Sequence, residues 1–286
     1  MSSFEITGGY ELSGEIIPQG AKNEALQILC AVLLTEEEVA IDKIPDIRDV
    51  NFLIEILKDL GVKTEKTGPE SYCFCARDIN LDYLLTDEFR EKGSRLRGSV
   101  MILGPLLSRF GFAYLPKPGG DKIGRRRLDT HLEGFRTLGA DFQYLEKDGV
   151  YKITAQNKKL HGQYMLLDEA SVTGTANIIM AATLSEGTTT IFNAACEPYI
   201  TQLCKMLTRM GANIEGTGSN LLKIHGVKSL KGTTHTMLPD MIEIGSFIGM
   251  AAMTRSEITM KNVDLSQLGN IPQVFNKLGI KTLQQG

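Results

Sequence analysis

ALQILCAVLL, residues 25–34, is apolar nearly all the way round. A surface helix of a globular protein shows one apolar stripe, whereas a helix apolar on all sides is buried on all sides. A membrane span needs roughly 20 such residues, so ten are too few. The stretch therefore reads as a helix inside a globular core. It is followed by a short strand, EVAIDKI, then by VNFLIEILKDLG and the strand VKTEKTG. In VNFLIEILKDLG, Phe52, Ile56 and Leu60 share one helical face, and Glu55, Lys58 and Asp59 avoid it. That is an amphipathic helix with an outer face.

The same order of elements recurs four times, with copies spaced roughly 70 residues apart. SVMILGPLL, FAYLPKPGG, HLEGFRTLG and ADFQYLE make the second copy, and ANIIMAATL, TTTIFNAA, YITQLCKMLTRMG and ANIEGTG the third. IGSFIGMAAM, EITMKNV, IPQVFNKLG and IKTLQQG make the fourth. Gly61, Gly139, Gly211 and Gly279 stand where each amphipathic helix needs a positive φ to stop. The first three copies run on into a further strand, SYCFCAR, VYKITAQ and LLKIHGV. The fourth stops at Gly286 before any such strand, which reads as a fragment of a repeat protein. Several apolar helices inside, with sheets and amphipathic helices outside, invert the usual sheet-centred α/β layering. Met101, Ile102, Met180 and Met250 are expected in that core.

Each apolar helix begins after a turn of small and polar residues: Gly20-Ala21-Lys22-Asn23, Arg95-Leu96-Arg97-Gly98-Ser99 and Ser171-Val172-Thr173-Gly174-Thr175. Parallel helices would gather those starts at one end of a domain. Unpaired N–H groups and the positive dipole end make such a place suited to anions. The stretch Pro116 to His131, PKPGGDKIGRRRLDTH, adds Lys117, Lys122, Arg125, Arg126 and Arg127 around the carboxylate of Asp121, with Asp129 beyond the cationic run. A charge run of this kind usually faces solvent. Three segments pointing to one chemistry favour recognition of phosphate or carboxylate by guanidinium forks.

Composition narrows the choice. The 286 residues carry a net charge of −3, so no global attraction to nucleic acid or to an anionic membrane is expected, and anions must be captured locally. Five cysteines at irregular spacing fit a reducing compartment. Cys73 and Cys75 alternate along one strand and are expected as a buried apolar pair, not as metal ligands. The first residues, MSSFEITGGYEL, show neither the basic start nor the apolar run of a secretory signal, so a cytoplasmic location is expected.

GAKNEALQILCAVLL, LRGSVMILGPLLSRFG, PGGDKIGRRRLDTHLEGFRTLGA, SVTGTANIIMAATL and LPDMIEIGSFIGMAA together resemble the UDP-N-acetylglucosamine 1-carboxyvinyltransferase family, in the same order, from about Gly9 onward. The resemblance implies an α/β fold of the inside-out enolpyruvyl transferase type, built from repeated βαβαββ units with buried parallel helices. It implies one complete domain over residues 22–232 and a partial second domain from 1–21 plus 233–286. The implied activity is transfer of the enolpyruvyl group of phosphoenolpyruvate to the 3′-hydroxyl of UDP-N-acetylglucosamine, the first committed step of peptidoglycan synthesis. No cofactor or metal is implied, the partners are the two small substrates, and the chain alone is expected to turn over poorly.

Matched residue by residue, the resemblance gives Lys22 to phosphoenolpyruvate, Asn23 to the sugar nucleotide, Arg97 to phosphate groups and Arg126 to phosphoenolpyruvate. The segments Arg126, Arg127, Leu128, Asp129, Thr130 and Glu169, Ala170, Ser171, Val172 match those that hold uridine and diphosphate. Asp121 stands where most of the family has a cysteine that protonates the methylene carbon, and Arg127 stands where the family has proline. Neighbouring cations favour ionised Asp121, so its acid role requires bound phosphoenolpyruvate and loop closure to raise its pKa. Two other readings stay open: the shikimate-pathway enolpyruvyl transferase, and a nucleotide-sugar binder without catalysis.

Overall fold

A computed structural model describes residues 3–116, 119 and 127–285. Its strands are β1 (Ser13–Ile16), β2 (Glu38–Asp42), β3 (Lys63–Lys66), β4 (Tyr72–Cys75), β5 (Phe112–Pro116), β6 (Ala140–Leu145), β7 (Val150–Ala155), β8 (Tyr164–Leu166), β9 (Thr188–Phe192), β10 (Asn213–Glu215), β11 (Leu221–His225), β12 (Thr233–Thr236) and β13 (Glu257–Met260). Its helices are α1 (Lys22–Ala31), α2 (Arg48–Asp59), α3 (Asp87–Arg95), α4 (Leu103–Phe110), α5 (Asp129–Thr137), α6 (Val172–Ala182), α7 (Pro198–Arg209), α8 (Met241–Met253) and α9 (Ile271–Lys277). The chain divides into two compact units, Lys22–Met237 and Met1–Ala21 with Leu238–Gly286.

In the unit Lys22–Met237, helices α1, α4 and α6 lie inside. Every α6 residue from Gly174 to Ala182 is buried, as are Ala25 and Ile28 to Ala31 of α1. The sheets and the amphipathic helices α2, α5 and α7 close around them. In α2 the buried residues are Val50, Leu53, Ile54, Ile56 and Leu57, continued by Leu60 just past its end, while Phe52 is half-buried. Strands alternate as sheets with one covered face do: Val39 and Ile41 of β2, Ile191 of β9, and Leu222 and Ile224 of β11 point inward. The sheet orders are β12-β2-β4-β3, β5-β7-β6 and β10-β11-β9-β8. The four closing glycines have φ between 84° and 105°, as a helix stop in the left-handed region requires.

Five expectations are corrected. Thr233–Thr236, assigned to the partial second domain, forms β12 and pairs in parallel with β2, so the division falls after Met237. Cys73 and Cys75 do share a face of β4, but it is the half-exposed one; Phe74 takes the inward position. The second apolar helix starts as a 3₁₀ turn, Arg97–Ile102, before α4, and an additional helix, α3, precedes it. Met101, Ile102 and Met180 are fully buried, but Met250 is only half-buried. IKTLQQG forms no strand over its described residues. The equivalent strands β3, β6 and β10 each pair with the strand that follows.

The unit built from Met1–Ala21 and Leu238–Gly286 pairs β1 with β13 in parallel. Its apolar centre is Ile244, Ile248 and Leu268. Helix α8 is capped by Asp240, whose carboxylate accepts from the N–H groups of Ile242 and Glu243.

Candidate functional site

The starts of the inner helices do meet. A cavity of about 580 Å3 in the unit Lys22–Met237 is lined by Lys22 and Asn23, the first residues of α1, by Arg97 and Gly98 of the 3₁₀ turn, and by Thr173 of α6. This volume lies within the range of small-molecule sites. Arg48 and Arg95 add positive charge to the wall, and Asp49 is its carboxylate among the described residues. Lys22 Nζ lies 2.5 Å from Asp49 Oδ2, with both side chains about half exposed. The excess of cations and the helix starts suit a polyanion.

Buried hydrogen bonds hold these starts in place. Glu24, in the first turn of α1, is fully buried, and its Oε1 lies 2.7 Å from His235 Nε2. Arg209 donates to His235 Nδ1 at 2.8 Å. A guanidinium nitrogen can only donate, so the imidazole proton sits on Nε2 and is given to the carboxylate. The buried carboxyl group of Glu24 is thus hydrogen-bonded, as buried polar groups are. At α6, the Ser171 hydroxyl caps the helix by accepting from the Gly174 N–H at 3.2 Å.

The residues expected in the site fall into three groups. Lys22, Asn23, Arg97 and Leu128 line the cavity. Arg127, Asp129, Thr130 and the run Glu169, Ala170, Ser171, Val172 lie beside it. Arg97 donates to the Arg127 carbonyl at 3.1 Å, and Arg127 pairs with Asp129. Thr130 donates to Asp168 at 3.0 Å and reaches Glu169 at 3.4 Å, which joins the two segments expected to act together. Asp121 and Arg126 lie outside the described residues.

His131 and Thr173, named only as parts of longer segments and given no role of their own, both line the cavity. Burial pushes the His131 pKa down to about 4, and the Arg97 guanidinium adds to the effect. A lone histidine in a helix that reads as amphipathic carries no sequence signal of this kind. Its partners come from α6, more than 40 residues away, which local patterning does not reveal.

The profile of a known protein family, described as EPSP synthase (3-phosphoshikimate 1-carboxyvinyltransferase), matches residues 6–286. The chain belongs to the EPSP synthase family. Within the family's wider relatives, it is 64% identical over 286 residues to a UDP-N-acetylglucosamine 1-carboxyvinyltransferase of Bacteroides thetaiotaomicron, covering 100% of this chain and 65% of the relative. It is 60% identical, with the same coverage, to the protein of that name from Porphyromonas gingivalis. The chain thus spans 65% of the length of these curated relatives. Among solved structures, the enolpyruvyl transferase NikO from Streptomyces tendae superposes with a TM-score of 0.76 at 22% identity, over 95% of this chain and 62% of that one. An EPSP synthase from Acinetobacter baumannii gives 0.71 at 17% identity, over 95% and 60%. At such identities the likeness speaks for the fold, which is the enolpyruvyl transferase type of α/β architecture.

Proposed function

We propose that this chain is part of an enzyme that transfers the enolpyruvyl group of phosphoenolpyruvate to the 3′-hydroxyl of UDP-N-acetylglucosamine and releases phosphate. The observation that carries this reading is identity of 60–64%, along all 286 residues, to relatives bearing that activity in their name. The cation-rich cavity supports it, because both reactants are polyanions. Lys22 and Arg126 are assigned to phosphoenolpyruvate, and Asn23 to the sugar nucleotide. Arg97, Arg127 to Thr130 and Glu169 to Val172 are assigned to phosphate and uridine groups. Asp121 gives its carboxyl proton to the methylene carbon while a base takes the 3′-hydroxyl proton and the sugar oxygen adds to the neighbouring carbon. The tetrahedral adduct then returns a proton from the new methyl group to the Asp121 carboxylate as the C–O bond to phosphate breaks and phosphate leaves. The cations offset charge on the substrates and on the departing phosphate. Peptidoglycan synthesis in the cytoplasm is the setting this reaction implies.

The family profile's own description favours a second reading, transfer to shikimate 3-phosphate. Thermal unfolding separates the two, since a ligand that binds the native state raises the midpoint. UDP-N-acetylglucosamine is expected to raise the midpoint of this chain and shikimate 3-phosphate to leave it unchanged. The opposite pattern would overturn the proposal. Binding is the appropriate readout because the chain spans 65% of its relatives' length.

A further inference from the structure

Asn177 sits in the middle of α6, fully buried among apolar side chains. Its Oδ1 accepts the Gly104 N–H at 2.7 Å, and its Nδ2 donates to the Val100 carbonyl at 2.8 Å. Turning the amide over would set donor against donor and acceptor against acceptor, so its orientation is fixed by its neighbours. The second Nδ2 proton points at His131 Nδ1, 3.1 Å away. An amide nitrogen only donates, so Nδ1 is the bare nitrogen of His131 and the ring proton is on Nε2. Among the described residues that proton is received by the Thr173 hydroxyl oxygen at 3.2 Å.

A hydroxyl carries a single proton, and with the imidazole donating to its oxygen that proton is directed elsewhere. Threonines in helices often return it to a carbonyl three or four residues back. Thr137, Thr183, Thr208 and Thr254 all do so here, at 2.6–2.9 Å. Thr173 makes no such bond among the described residues; it is exposed and stands on the wall of the cavity that Lys22, Asn23 and Arg97 also line. We propose that Thr173 donates its hydroxyl proton to an anionic oxygen of the diphosphate of the bound sugar nucleotide, with His131 as the positioning residue that fixes the direction of that proton. The identity of the ligand rests on the function proposed above; the direction of the donor does not. A neutral donor at this point complements the cations: it supplies a directed hydrogen bond where Lys22 and Arg97 supply charge.

The test is calorimetric titration of this chain with UDP-N-acetylglucosamine and, separately, with inorganic pyrophosphate. Thr173→Val keeps the shape and removes the hydroxyl, Thr173→Ser keeps the hydroxyl, and Thr173→Ala serves if the valine variant folds poorly. Loss of a hydrogen bond to a charged acceptor is expected to weaken both ligands by ~10-fold in the valine and alanine variants. The serine variant is expected to stay within about 2-fold of the parent, since it retains the donor. Nitrogen-15 correlation spectra of His131 at neutral pH are expected to show the proton on Nε2. Unchanged affinity in Thr173→Val or Thr173→Ala, no pyrophosphate binding by the parent chain, or a proton on Nδ1 would each overturn the inference. Pyrophosphate binding that depends on Thr173, without any binding of UDP-N-acetylglucosamine, would keep the donor role and sink the proposed function. Sugar-nucleotide binding indifferent to Thr173 would do the reverse.

Discussion

His131 is held neutral by its place in the core, and this has a consequence for stability. Its pKa falls from an ordinary 6.5 to about 4 because burial penalises the charged ring, with Arg97 adding repulsion. Between those values the unfolded chain binds a proton that the folded chain refuses, so stability falls as the pH drops through 6.5 towards 4. The full effect is on the order of 3 kcal/mol, and about 1 kcal/mol of it should be lost between pH 7 and 5.5. Urea midpoints at these two pH values are expected to show that loss in the parent chain and a smaller one in His131→Gln. An equal loss in both would mean that another group titrates. Asp121 gives a second prediction at this scale, for the enzyme at the length of its relatives. Asp121→Asn should abolish turnover, because an amide cannot deliver the proton. Fosfomycin, which alkylates the thiolate at the matching position of the family, should form no adduct at Asp121, since a carboxylate is a weaker nucleophile. Near-normal turnover in the variant, or a fosfomycin adduct on Asp121 by mass spectrometry, would contradict the assigned role. The sequence could raise Asp121 as a candidate through its neighbours and the family resemblance. It could place Thr173 in a polar turn at a helix start, but not pair it with a ring 42 residues away.

Among the elements, α4 and α6 pack so closely that Gly104 has no room for a side chain. A Cβ there would overlap the backbone carbonyl of Asn177 and would crowd its Oδ1 at 2.6 Å. Gly104→Ala should therefore push the helices apart and strain the Asn177 network, at a cost of about 1–3 kcal/mol. Gly249, in α8, has nothing within 4 Å of its would-be Cβ. Gly249→Ala should stabilise by roughly 0.5–1 kcal/mol, because only the flexibility of glycine is removed from a helix. Denaturant midpoints for the pair read both signs, and a neutral Gly104→Ala would refute the close-packing account. The amphipathic helices and their glycine stops were legible in the sequence because 3.6-residue patterning is local. The 3₁₀ start at Arg97 and helix α3 were not, because DEFREKGSR has a polar composition that also suits a loop.

Across the whole molecule, stability is expected to be uneven. In the unit Lys22–Met237 a continuous core runs from α1 through α4 and α6 to the sheets. In the other unit α8 buries only Ile244 and Ile248, and Met253 is 89% exposed although its helix is apolar nearly all round. Sparse burial allows local opening at low free energy. Amides of α8 should therefore exchange with deuterium well before those of α6, as mass spectrometry of peptic fragments can show; equal protection would contradict this. The sequence by itself determined the kinds of element, their order, the repeat and the cationic character of the helix starts, because each is written in the spacing and composition of the chain. Only the tertiary structure decided that β12 joins β2, that β1 joins β13, that Phe74 and not the cysteines faces inward, and that His131 meets Thr173. Those outcomes depend on which distant segments come to share a strand edge or a wall, and the chain between them carries no local mark of the choice.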